Sequence, residues 1–107
     1  MENTSNELAA MTLIANAGDG RSCAFLGLAK AKEGKFDEAD LLLKKSDDAI
    51  RVAHNAQTEL LVAEASGTKQ EVGLLMVHAQ DHFMTSLLAN ELIKEMIVLY
   101  KHSWEQK

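Results

Sequence analysis

The fold turns on residues 69–103, KQEVGLLMVHAQDHFMTSLLANELIKEMIVLYKHS. No proline breaks the stretch, and leucine, methionine and alanine, all good helix formers, recur through it. On a helical wheel centred on His78, one stripe holds Glu71, Leu74, Leu75, His78, Asp81, His82, Thr85, Ala89, Leu92, Ile93 and Met96. Val72, Met76, Phe83 and Leu87 take the far side, and Val77, Met84 and Leu88 a third. A helix that is apolar nearly all round is buried. Two partner helices of one chain cannot cover so long a surface, so the periodicity predicts that this helix is central in an oligomer.

Working outward, Ser66-Gly67-Thr68 marks a turn, and Thr68 with Glu71 fits a capping box for the third helix. Gly34 follows Lys30 and Lys32, basic residues suited to a helix C-terminus. Beyond it, Asp37 is placed to cap a second helix, with Phe36 and Leu41 as a hydrophobic staple. The expectation is an all-α, antiparallel three-helix bundle forming one domain over 1–107. Its helices should run to about residue 33, from 37 to 65 and from 69 to 103, the last two some 40–50 Å long. Thr4 with Glu7 offers a weaker capping box for helix one. Gly18-Asp19-Gly20-Arg21 lacks the spacing and lysine of a phosphate-binding loop, so it reads as a kink or a close helix contact. In helix two, Leu42, Ala49, Ala53, Ala56 and Leu60 make the apolar stripe; His54, Asn55, Gln57 and Thr58 form a polar run suited to surface or inter-helix hydrogen bonds.

Composition narrows the function. With 107 residues, 47% hydrophobic and 25% charged, the chain has a globular balance. A net charge of -5 argues against a nucleic-acid binder, which needs a basic face. The lone Cys23 permits no internal disulfide and reads as a small buried hydrophobe. No apolar run reaches the roughly 18–20 residues of a membrane span, so no membrane insertion is expected. The start, Met1 to Asn6, lacks the basic opening of a signal peptide, so the cytoplasm is expected.

His78, Asp81 and His82 share one helical face through their spacings of three and four residues. Polar groups on an apolar face need partners, which marks the cluster as functional. Three chemistries suit it. The two histidines have a metal-ligand spacing, although Ala79 stands where a zinc-protease helix needs glutamate. One imidazole can serve as a general base, although no nucleophile stands beside it. A histidine can itself be the nucleophile, taking phosphate on a ring nitrogen.

Val77-His78-Ala79-Gln80-Asp81-His82-Phe83-Met84-Thr85-Ser86 resembles the active-site helix of the lactose/cellobiose-type IIA components of the bacterial sugar phosphotransferase system. Ala17-Gly18-Asp19-Gly20-Arg21-Ser22, Ala53-His54-Asn55-Ala56-Gln57-Thr58 and Glu64-Ala65-Ser66-Gly67 agree, in collinear order. The resemblance implies a three-helix subunit assembled into a nine-helix homotrimer. It implies a phosphohistidine carrier charged by HPr and discharged to a cysteine of the IIB component, with a membrane IIC component coupling transfer to sugar entry. His78 matches the phosphorylated histidine. Asp81 matches a carboxylate that, in some members, meets its symmetry copies around a metal ion on the three-fold axis. Magnesium suits such hard oxygen ligands. The His-Ala-Gln-Asp-His run with Thr85-Ser86 looks more like the cellobiose branch than the lactose branch. Gly20 stands where alanine is more usual; Phe83 replaces the usual leucine and is a candidate for reshaping the docking surface.

On this reading His82 is a partner for the phosphate or for a carboxylate. Gln80 lies across the helix from His78, so it helps only from a neighbouring subunit. Two other readings compete: a histidine phosphotransfer domain of two-component signalling, and a helical interaction module with an incidental metal site.

Overall fold

The computed structural model describes the backbone of residues 2–107 and side chains from residue 6 onward. The Thr4–Glu7 capping box and most of the Met1–Asn6 start therefore lie outside the described residues. The chain forms three helices, α1 (Glu2–Lys32), α2 (Phe36–Ala65) and α3 (Leu74–Glu105). They lie side by side in a rod 58 × 20 × 19 Å in extent. This is the all-α three-helix architecture expected.

Both inter-helix turns follow one mechanism. Gly34 has φ 78° and Gly67 has φ 99°, the left-handed conformation that favours glycine. At the first turn the N–H of Gly34 donates to Ala31 O and that of Lys35 to Lys30 O. At the second, the N–H of Gly67 donates to Glu64 O and that of Thr68 to Ala63 O. Each pair closes a helix C-terminus as a Schellman motif and satisfies its last carbonyls.

These closures displace two expected caps. Thr68 gives its N–H to finish α2, and α3 does not start there. The segment 68–73 is non-helical, and α3 begins at Leu74 after an extended Gly73 with no side-chain cap. Lys35 both ends α1 and serves as the N-cap of α2, its carbonyl accepting from Ala39 N at 3.0 Å. Asp37 therefore sits inside the first turn rather than capping it, where its charge still suits the helix dipole. Leu41 is exposed and Phe36 packs edge-on against Trp104, so the staple does not form. Trp104 lies 2.8 Å from where a Cβ on Gly34 would stand, which leaves room only for glycine under the ring.

Within one chain α1, not α3, is the middle element: it packs along both others, and α2 and α3 meet along a thinner line. One core cluster joins Ala10, Leu13, Ala17, Ile50, Ala53, Met76, Ala79 and Phe83. A second joins Ala24, Ala31, Ala39, Ile93 and Ile97. The Gly18–Arg21 stretch lies within the continuous α1 helix and is a close contact: a Cβ on Gly20 would lie 2.7 Å from Ile50. Ser46 Oγ donates to Gly20 O at 2.6 Å, and Asn90 Nδ2 donates to Ser46 Oγ and to Asp47 Oδ1. Of the expected α2 stripe, Ala53 is buried, and Leu42, Ala49, Ala56 and Leu60 flank the Ala39–Ser46–Ile50–Ala53 core face half-buried. Cys23 is a free, half-buried thiol rather than a fully buried one.

Candidate functional site

The core face of α3 is Met76, Ala79, Phe83, Ser86, Asn90, Ile93 and Ile97. Because the helix is anchored through that face, the side chains about a third of a turn away are carried outward on a fixed backbone. His78 and Asp81 are exposed, and His82 is half-buried. The rings of His78 and His82 stack, with centroids 5.8 Å apart and planes inclined by 9°. His82 Nε2 lies 3.4 Å from where a Cβ on Gly18 would stand, so the ring rests against the small residue of α1. One imidazole is thus held against α1, and the other, stacked on it, is exposed. Thr85 Oγ1 turns back to donate to Asp81 O and His82 O, at 3.0 and 3.2 Å.

The structure brings His78, Asp81 and His82 to one face, as the spacing predicts. It keeps Gln80 away from them. Gln80 is half-buried toward α2, where its Oε1 accepts a hydrogen bond from Gln57 Nε2 at 2.8 Å. Gln57 was legible only as a member of a polar run; its pairing depends on the register of α2 against α3, which no local pattern encodes. Phe83 is fully buried, with His54 tilted over it at 6.2 Å. It fills the core and presents nothing to a docking partner, contrary to the sequence expectation. Among the described residues no three or more His, Cys, Asp or Glu side chains of one chain converge on a metal position. Asp81 can therefore join a carboxylate cluster only with copies from other chains.

The other flanks of α3 are open and apolar. Leu74, Val77, Met84, Leu88, Leu92, Val98 and Leu99 are each at least half exposed. Among the described residues, no helix is long and apolar enough to cross a membrane.

Three long helices closed by glycine turns, with an exposed imidazole on the third, define a helical protein built to present a histidine. The chain belongs to the family described as "PTS system, Lactose/Cellobiose specific IIA subunit", which matches residues 8–101. It is 46% identical over 91 residues to the N,N'-diacetylchitobiose-specific EIIA component of Escherichia coli (strain K12), covering 85% of this chain and 78% of that one. It resembles the crystal structure of the cellobiose-specific enzyme IIA from Bacillus anthracis, with a TM-score of 0.92 and 43% identity over 95% of this chain and 94% of that one. A solution structure of the IIA(chitobiose)–HPr complex of Escherichia coli matches with a TM-score of 0.77 and 43% identity, covering 91% and 94%. Family membership sets aside the two-component alternative. The chain is a component of the phosphotransferase system.

Proposed function

We propose that this chain is a cytoplasmic phosphohistidine carrier in which His78 accepts a phosphoryl group from HPr and passes it to a cysteine of the IIB component. The observation that carries the reading is the exposed His78 ring stacked on a His82 anchored against α1. The lone pair of one His78 nitrogen attacks phosphorus in line. The bond from phosphorus to the HPr imidazole breaks, and its electron pair returns to that ring. Such transfer needs positioning and charge stabilisation rather than covalent machinery. An imidazole on a rigid helix supplies the first, and in this reading His82, stacked on the His78 ring, contributes to the second as a partner for the phosphate or for a carboxylate. The relative solved as a complex with HPr supports the choice of donor.

The functional unit in this proposal is a homotrimer, whose α3 helices cover one another's apolar flanks. Gln80 then reaches the phosphoryl group from a neighbouring subunit. The Asp81 carboxylates converge on the three-fold axis, and a divalent cation, Mg2+ by the hardness of its oxygen ligands, offsets their repulsion there. An exposed Asp81 on the uncovered face of α3 fits that role. The His-Ala-Gln-Asp-His run followed by Thr85-Ser86 favours transfer to a cellobiose-type rather than a lactose-type IIB component.

The test is phosphorylation with labelled phosphoenolpyruvate, enzyme I and HPr. His78→Ala should take no label while His82→Ala keeps a reduced rate. Labelling that survives His78→Ala and is lost in His82→Ala overturns the assignment.

A further inference from the structure

The site leaves one side chain unexplained. Gln57 of α2 holds Gln80 of α3 by the hydrogen bond from Nε2 to Oε1, at 2.8 Å. Two methionines flank the pair. Gln57 Nε2 also donates to Met84 Sδ at 3.5 Å, and Gln80 Nε2 donates to Met76 Sδ at 3.6 Å. A thioether sulfur accepts and never donates. Each sulfur is faced by an NH2 group rather than a carbonyl oxygen, which suits this orientation of both amides. With Gln57 giving its N–H to Gln80 Oε1, the Gln80 carbonyl is occupied. Its NH2 group uses one hydrogen on Met76, and among the described residues the other has no hydrogen-bond acceptor. Gln80 lines a recess of about 360 Å³ with Leu60, Val72 and Val77, open to the surface. The Gln80 amide is thus tethered at both ends, its oxygen by Gln57 and its nitrogen by Met76, beside an accessible recess that is largely apolar.

We infer that Gln57 is a positioning residue for phosphoryl transfer: through its hydrogen bond it holds the Gln80 carbonyl toward α2 and so leaves the NH2 group, rather than the oxygen, to donate to a phosphoryl oxygen on the neighbouring subunit's histidine. The inference rests on the reading above that Gln80 serves a site across the subunit boundary. A donor oriented before the substrate arrives lowers the barrier because no ordering remains to be done at the moment of transfer. Reversing the amide would present oxygen to an anion.

The test uses the full chain, single-turnover transfer from phospho-HPr, and the variants Gln57→Leu, Gln57→Glu and Gln80→Leu. Gln57→Leu should slow transfer about 3- to 10-fold, the worth of one hydrogen bond, with the KM for phospho-HPr unchanged. Gln57→Glu keeps the shape but cannot donate, so Gln80 must turn over; its loss should be the larger. In the Gln80→Leu background neither change at position 57 should slow transfer further. Equal thermal stability of the single variants separates this from misfolding. Losses that multiply in the double variants, or wild-type rates in Gln57→Glu or Gln80→Leu, overturn the inference while leaving His78 as acceptor. A parent protein that takes no label from phospho-HPr would instead overturn the carrier reading.

Discussion

Gly20 is the residue where packing and propensity disagree most. Alanine would favour the helix by about 1 kcal/mol, yet its methyl would lie 2.7 Å from Ile50 Cδ1 and Cγ1 and 3.3 Å from Ser46 O. Overpacking of this kind costs about 1–3 kcal/mol. Gly20→Ala should therefore lower stability by about 1 kcal/mol in urea denaturation, the overpacking cost less the helix gain. Ile50→Ala costs about 2–5 kcal/mol alone, and less in the Gly20→Ala background, where the new methyl enters the void. Strictly additive losses would show that the two side chains do not meet. The sequence marked Gly20 as unusual within the resemblance and allowed a close contact, but could not say with what, because Ile50 comes from the register of α2 against α1. The site divides in the same way. His78, Asp81 and His82 were legible because spacings of three and four fix a shared face. The His82–Gly18 contact and the Gln57–Gln80 bond were not, because each joins two helices.

At the level of elements, helix number and type were legible from the missing proline, the helix-forming composition and the glycine turns. The boundaries were less so. Thr68 and Lys35 each close the preceding helix with the backbone N–H; Lys35 also starts the next helix through its carbonyl, whereas Thr68 does not. The start of α3 is left bare: Gly73 is extended, with φ -109° and ψ -179°, and nothing lies within 4 Å of a Cβ built there. That conformation suits a side-chain cap. Gly73→Asp should stabilise the protein by about 0.5 kcal/mol through a hydrogen bond to the first turn and attraction to the helix dipole. Thermal denaturation at low and high salt checks this; no gain at low salt would mean that the segment does not hold the capping geometry.

For the whole molecule, the periodicity of α3 predicts an oligomer, and the isolated chain leaves that helix's outer flanks uncovered. It did not reveal that α1 is the central element of each chain. Sedimentation should give a mass of three chains, and Leu92→Glu, a charge placed in a half-exposed apolar flank, should shift it toward one. A wild-type chain that sediments alone would remove the shared site. If three Asp81 carboxylates meet around a cation, chelation should lower the trimer's Tm, and Asp81→Asn should make the Tm indifferent to chelator. A Tm that ignores chelator in the parent protein would dispose of the metal. The central position of α1 carries one more consequence. Both other helices hold on to α1 more than to each other, and residues 68–73 between them are irregular and mostly exposed. That segment is a tether rather than a strut: a protease nick there would sever the backbone without parting the two fragments.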